Sequence, residues 1–185
     1  SYTTRSGVWT YFFFAFFICA SLTILFFEAA PVITAKLRET YVSNLRYAAG
    51  ELTRAGMDLL IEPVNSRTFP GSYLRNSGQA IAIMDEANVP NLKLQYDLFH
   101  MQIMEGDLAK TVESLWPRIG HIQFADVPQR HQPGTGEIHF PYLFECIDRS
   151  GYPGWVGAEY VPSVSTAASL DWFERYRNVT RPVEG

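Results

Sequence analysis

Four short apolar runs, each closing on a polar residue able to hold a cation, recur along this chain at nearly even spacing. They are Leu59-Leu60-Ile61-Glu62, Leu92 to Asp97, Gly120-His121-Ile122-Gln123 and Trp155 to Glu159. Their terminal residues Glu62, Asp97, Gln123 and Glu159 stand 35, 26 and 36 positions apart. Short apolar runs bounded by loop signals read as buried strands. A (β/α)₈ barrel takes roughly 30 residues per strand–helix unit and carries its chemistry at the C-terminal strand ends. Four such units in succession, each ending on an oxygen donor, describe one side of a cation-binding barrel mouth. The chain has 185 residues, too few for all eight units, which need about 250. The expected fold is therefore α/β, a partial (β/α)₈ TIM barrel.

The segments between the runs fit that alternation. Leu37, Tyr41, Leu45, Ala48, Ala49 and Leu52 recur at helical spacing before Gly56. Gln79 to Ala87 forms a second stripe closed by Pro90, and residues 105 to 118 a third, ended by Pro117. The third strand runs from Ile119 to Phe124, and a loop from Ala125 to Glu137 carries Asp126, Arg130, His131 and the Pro133-Gly134-Thr135-Gly136 turn. Phe140 to Ile147 is expected as a helix, Trp155 to Tyr160 as the fourth strand, and Thr166 to Asn178 as a last helix. Strand–loop–helix alternation implies parallel strands with right-handed crossovers.

The start of the chain is different. Val8 to Phe27 holds no charged residue and is long enough to span a bilayer, which takes about 20 apolar residues. Three readings fit it: a transmembrane anchor or uncleaved signal sequence, a fused or misplaced translation product, and a buried element of a soluble core. Residues 1–30 are accordingly set apart as a hydrophobic N-terminal segment, with membrane contact through 8–27, and 31–185 as the barrel portion. A net charge of −4 with three lysines, Lys36, Lys93 and Lys110, argues against a nucleic-acid surface. Cys19 and Cys146 make no disulfide framework.

Glu62, Asp97, Gln123 and Glu159 supply three carboxylates and one amide oxygen, a set suited to a hard divalent cation, Mg²⁺ or Mn²⁺. Zinc fits less well, because none of these four positions is His or Cys. A cation chelated by a carbonyl and an adjacent hydroxyl stabilises an enediolate. Glu62 and Glu159 then serve as an acid/base pair at opposite ends of the two-carbon unit. His100 is placed to reach a substrate oxygen, and Arg130 and His131 to bind a substrate carboxylate. His121 reads as turned away from the site if Gln123 lies in a layer above it, a point its period-2 parity leaves open.

At these residues the chain resembles the hydroxypyruvate isomerase family, within the xylose-isomerase-like barrels. The resemblance covers Tyr41 to Trp172 and is carried by Asn44-Leu-Arg-Tyr-Ala-Ala, Leu59-Leu-Ile-Glu-Pro-Val-Asn, Gln95-Tyr-Asp-Leu-Phe-His-Met-Gln, Gly120-His-Ile-Gln-Phe-Ala-Asp, Pro133-Gly-Thr-Gly-Glu-Ile and Gly157-Ala-Glu-Tyr. It implies a cytosolic enzyme interconverting hydroxypyruvate and 2-hydroxy-3-oxopropanoate (tartronate semialdehyde), or acting on related 2-oxo acids. It implies Glu62 and Glu159 as the acid/base pair and Glu62, Asp97, Gln123 and Glu159 as the metal positions. His100, Arg130, His131 and Asn65 are the expected contacts of the small 2-oxo acid. The retained part corresponds to strands five to eight, so the expectation is a marginally stable chain or one completed by homo-oligomerisation. A ketose 3-epimerase, a 2-oxo-tetronate isomerase and an inactive, membrane-tethered remnant are the alternatives.

Overall fold

A computed structural model describes residues 35–177. The hydrophobic segment 1–30 and the chain end from Asn178 onward lie outside the described residues. Among the described residues no helix is long and apolar enough to cross a membrane.

Four strands, β1 (Leu59–Ile61), β2 (Leu92–Asp97), β3 (Ile119–Phe124) and β4 (Val156–Ala158), form one parallel sheet in sequence order. Helices α1 (Ala35–Arg54), α2 (Ser77–Ala87), α3 (Leu98–Met104), α4 (Leu108–Leu115), α5 (Phe140–Ser150) and α6 (Glu174–Arg177) complete the alternation. The expected α/β architecture is present: four β/α units of a barrel.

Local chemistry sets the boundaries. Asn76 caps α2 by accepting from the Gln79 N–H, and Asn88 ends it in the left-handed region. Helix α1 buries Val42, Leu45 and Ala49 along one face, and the Arg46 guanidinium ties it to the α2 end through the Glu86 and Ala87 carbonyls. Two expected helices differ. The segment 105 to 118 is shorter than expected: α4 starts only at Leu108, because Gly106 and Asp107 both take positive φ. It gives way to a 3₁₀ turn at Trp116–Arg118, which holds Pro117. The expected helix from Thr166 is two 3₁₀ turns, Ala167–Ser169 and Asp171–Phe173, leading into α6. Helix α3, which no stripe announces, begins on the last residue of β2, with Asp97 as its N-cap.

The strands alternate as a pleated sheet must. Leu92, Leu94 and Tyr96 of β2, and Ile122 and Phe124 of β3, enter the core under the helices. Lys93, Gln95 and Asp97 face the other way. The register steps by one residue between β2 and β3: Leu94 lies opposite Ile119, but Gln95 opposite His121 and Asp97 opposite Gln123. The extra residue is Gly120, where a Cβ would come within 2.6 Å of Leu60 Cδ2 and 2.8 Å of Lys93 Cβ. Only glycine lets the three strands close up there.

Phe124 anchors the far end of the core. Its ring packs on Phe140, Phe144 and Trp172 at centroid distances of 5.6, 5.2 and 5.4 Å. Removing it leaves a cavity that these rings cannot fill, so Phe124→Ala should destabilise the fold by about 3–5 kcal/mol. Chemical denaturation checks this, and a loss under about 1 kcal/mol would mean that the aromatic cluster does not hold the C-terminal unit.

Candidate active site

The sequence-predicted side chains meet where the strands end. Glu62 follows β1, Asp97 closes β2, Gln123 is near the end of β3 and Glu159 follows β4. Gln95 links two of them: its Nε2 donates to Glu62 Oε2 at 2.8 Å and to Gln123 Oε1 at 2.5 Å. This fixes the Gln123 amide with its oxygen toward Gln95. Gln95 shares the inward parity of Asp97, the one signal in the sequence that marks it.

Asp97 is fully buried; its Oδ1 accepts from the Phe99 N–H at 2.9 Å and its Oδ2 from Arg130 Nη2 at 3.3 Å. Arg130 Nη2 also donates to Glu159 Oε2. The guanidinium lies over the Phe99 ring, 5.0 Å from its centroid, a cation–π contact. Two carboxylates thus share one guanidinium.

His100 stands in the middle of the group, with Nε2 3.7 Å from Glu62 Oε1 and 3.6 Å from Asp97 Oδ2. Glu62, Asp97 and His100 each bring one potential ligand atom within 4.8 Å of the others. The far side of the imidazole decides what it offers. The Asn65 backbone N–H and side-chain amide approach Nδ1 at 3.2 and 2.6 Å. Two donors on Nδ1 make it the acceptor, which puts the ring proton on Nε2. Burial first, then the Arg130 charge, lowers the His100 pKa to about 3, so the ring is neutral. His100 therefore presents an N–H to the site rather than a lone pair. Fully buried Asn65, whose Oδ1 accepts from the Thr68 N–H at 2.8 Å, sits behind His100.

The oxygen donors fit a hard divalent cation. When ionised, Glu62, Asp97 and Glu159 carry more negative charge than Arg130 balances, and the Gln123 oxygen meets the same Gln95 amide as Glu62. With neutral His100 turned donor-first, the set remains oxygen-only.

His131 lies elsewhere: its Nδ1 is 2.7 Å from the Val161 carbonyl oxygen, joining the two loops that carry Arg130 and Glu159. His121 faces the same side as Gln123, one layer lower, and a Cβ on Gly157 would come within 3.1 Å of its Nε2. That shared side follows from the period of two, and the extra residue at Gly120 turns His121 away from the face of Ile119.

One residue that sequence reading placed only in the loop organises it. Buried Asp126 accepts five backbone N–H bonds: Val127 and Ile138 on Oδ1 at 3.0 and 3.1 Å, and Gly134, Thr135 and Gly136 on Oδ2 at 3.0, 3.0 and 2.8 Å. Its carbonyl receives the Arg130 N–H at 2.9 Å. The signal was Asp126 followed by the Pro133-Gly134-Thr135-Gly136 turn, a carboxylate ahead of a string of free amides. Hydrogen bonds to a charged group are worth about 1.5–3 kcal/mol each where loss leaves a buried donor unpaired. Asp126→Ala should therefore lower stability by about 3 kcal/mol or more in a denaturation titration; a change below about 1 kcal/mol would show that the loop holds without it.

Burial drives the site's acid–base behaviour. Desolvation, helped by the Asp97 and Glu159 charges and opposed by Arg130 and Gln95, raises the Glu62 pKa from 4.5 to about 8. Desolvation raises Asp97 from 3.8 to about 7 against the pull of Arg130 and the Phe99 N–H. Between the ordinary and the raised values the folded chain keeps protons that the unfolded chain has released, so stability falls as pH rises through that window. In EDTA-treated protein the denaturation midpoint should drop between about pH 5 and pH 8, and Glu62→Gln should flatten the slope. A midpoint that climbs with pH, or a slope unchanged in the variant, would contradict this.

The xylose isomerase-like TIM barrel family model matches residues 23–176. The chain is 48% identical to hydroxypyruvate isomerase of Escherichia coli over 142 residues, covering 77% of this chain and 55% of that protein. It is 46% identical to 2-oxo-tetronate isomerase of Cupriavidus necator over 142 residues, with the same 77% and 55% coverage. The crystal structure of an AP endonuclease, family 2, from Brucella melitensis superposes with a TM-score of 0.74 at 42% identity, over 76% of this chain and 55% of that one. The chain spans about half the length of the curated relatives it matches.

Proposed function

The chain belongs to the xylose isomerase-like TIM-barrel family, and from that premise we propose that it isomerises hydroxypyruvate to 2-hydroxy-3-oxopropanoate with a divalent cation, Mg²⁺ or Mn²⁺. The observation that carries the reading is the convergence of Glu62, Asp97, Gln123 and Glu159 on one strand-end cluster with a single guanidinium. The 48% identity to the Escherichia coli hydroxypyruvate isomerase supports the substrate.

A cation held by Glu62, Asp97, Gln123 and Glu159 would polarise the ketone and the adjacent hydroxyl and favour the enediolate. The remaining work falls to the chain's own groups. One of Glu62 and Glu159 takes a proton from C3, and the other delivers one to C2. The hydroxyl proton passes from O3 to O2, which balances the isomerisation. His100 offers its Nε2–H to a substrate oxygen, with Asn65 holding the ring from behind. Arg130 presents a planar pair of donors to the substrate carboxylate, while His131 acts at one remove, through the Val161 carbonyl.

The relative named 2-oxo-tetronate isomerase, at 46% identity, favours a second substrate on the same site: a four-carbon 2-oxo acid with the same acid head. The two are separated by kcat/KM measured on each. For either acid, turnover should stop with EDTA and return with Mg²⁺ or Mn²⁺. Glu62→Gln and Glu159→Gln should each lower kcat by about 10²–10⁴-fold. Turnover that survives EDTA, or full activity in either variant, would overturn the assignment of the cluster.

A further inference from the structure

Arg130 occupies an unexpected position for a group meant to hold substrate. Its Nη2 donates to Asp97 Oδ2 at 3.3 Å and to Glu159 Oε2. Asp97 and Glu159 are two of the four residues placed around the cation above. A guanidinium on Asp97 Oδ2 and Glu159 Oε2 and a divalent cation drawing on the same two carboxylates compete for their charge, and the two positive charges repel.

The Arg130 backbone is tied on both sides, and its side chain reaches from there into the cluster. The residue lies at φ 60 in the left-handed region. Its N–H is bonded to the Asp126 carbonyl at 2.9 Å, and its carbonyl accepts from the Val161 N–H at 2.7 Å. The Arg130 side chain is about one-fifth exposed, and its guanidinium rests over the Phe99 ring, a favourable contact that does not depend on the carboxylates. His100 Nε2, 3.5 Å from Arg130 Nη1, borders the same space.

We propose that Arg130 is the displaceable counter-ion of the carboxylate cluster: its guanidinium pairs Asp97 with Glu159, and a divalent cation binds by exchanging with it. The exchange draws the two carboxylates onto the cation and frees the guanidinium for an incoming carboxylate. Loading then has an order, cation first and acid second. This rests on the cation site assigned under the proposed function and adds a role for Arg130 in filling it.

The test is Mn²⁺ binding, followed by the electron paramagnetic resonance signal of the free ion, in wild-type protein and in Arg130→Ala. Exchange predicts tighter binding in the variant, by about tenfold; equal or weaker binding overturns it. Loss of a nearby positive charge would also tighten binding, so the second readout is the guanidinium itself. In wild-type protein the Arg130 Nε–H resonance, assigned by its absence in Arg130→Lys, should shift when diamagnetic Mg²⁺ is added. An unmoved resonance at saturating Mg²⁺ overturns the exchange, and this measurement stands if Arg130→Ala does not fold. Tighter Mn²⁺ binding with no turnover of either acid would keep the exchange and remove the substrate. Turnover combined with unchanged affinity in Arg130→Ala would keep the isomerase and remove the exchange. If neither protein bound Mn²⁺, the exchange and the cation site would fall together.

Discussion

The parallel register that sets Asp97 beside Gln123, and Gln123 beside Gly157, is the constraint on which the rest of this molecule depends. Side chains alternate along a strand with a period of two, so a slip of one residue would send the whole acidic set into the hydrophobic core. Gly120 keeps the register. It absorbs one extra residue between β2 and β3 and leaves no Cβ to push Leu60 and Lys93 apart. With the strands fixed, Glu62, Gln95, Asp97 and Gln123 fall on one face, and the loops after β3 and β4 need only deliver Arg130 and Glu159.

Burying carboxylates together works against stability, and the surroundings show how that tension is contained. Gln95 donates to Glu62 and Gln123, the Phe99 N–H donates to Asp97, and Arg130 bridges Asp97 and Glu159. Desolvation still outweighs these contacts, which is why Glu62 and Asp97 move upward rather than down. A cluster so unfavourable to itself is consistent with the proposed cation-dependent site, since a bound cation would offset the repulsion among its carboxylates. The same loop contacts that hold Arg130 in reach of Asp97, through Asp126 and Val161, keep Glu159 on the site.

Much of this was legible in the sequence because the strands are short apolar runs that stop on acids. The Leu92–Asp97 and Ile119–Phe124 strands have the bounds that reading assigns, and Glu62 and Glu159 sit just past shorter strands than expected. Other features were beyond any local pattern. Helix α3 has seven residues, too few for a stripe to repeat. Asn65 reaches His100 across 35 positions, and no periodicity encodes that contact. No local pattern shows the extra residue at Gly120, which sets His121 and Gln123 opposite Gln95 and Asp97. The C-terminal segment carries helix-compatible residues but winds as 3₁₀ turns around Trp172, whose ring is held by Phe124, Phe144 and Tyr160; tertiary packing decides there over propensity.

The central claim is that the cluster moves a proton between adjacent carbons, and solvent isotope incorporation tests it most directly. Hydroxypyruvate is incubated with the Mg²⁺- or Mn²⁺-loaded protein in deuterium oxide, and the product is followed by proton and carbon NMR. Proton transfer through Glu62 and Glu159 predicts 2-hydroxy-3-oxopropanoate carrying deuterium at C2. Product with the original hydrogen retained at C2 would mean a direct hydride shift, and unchanged hydroxypyruvate would mean that this cluster does not carry out the reaction.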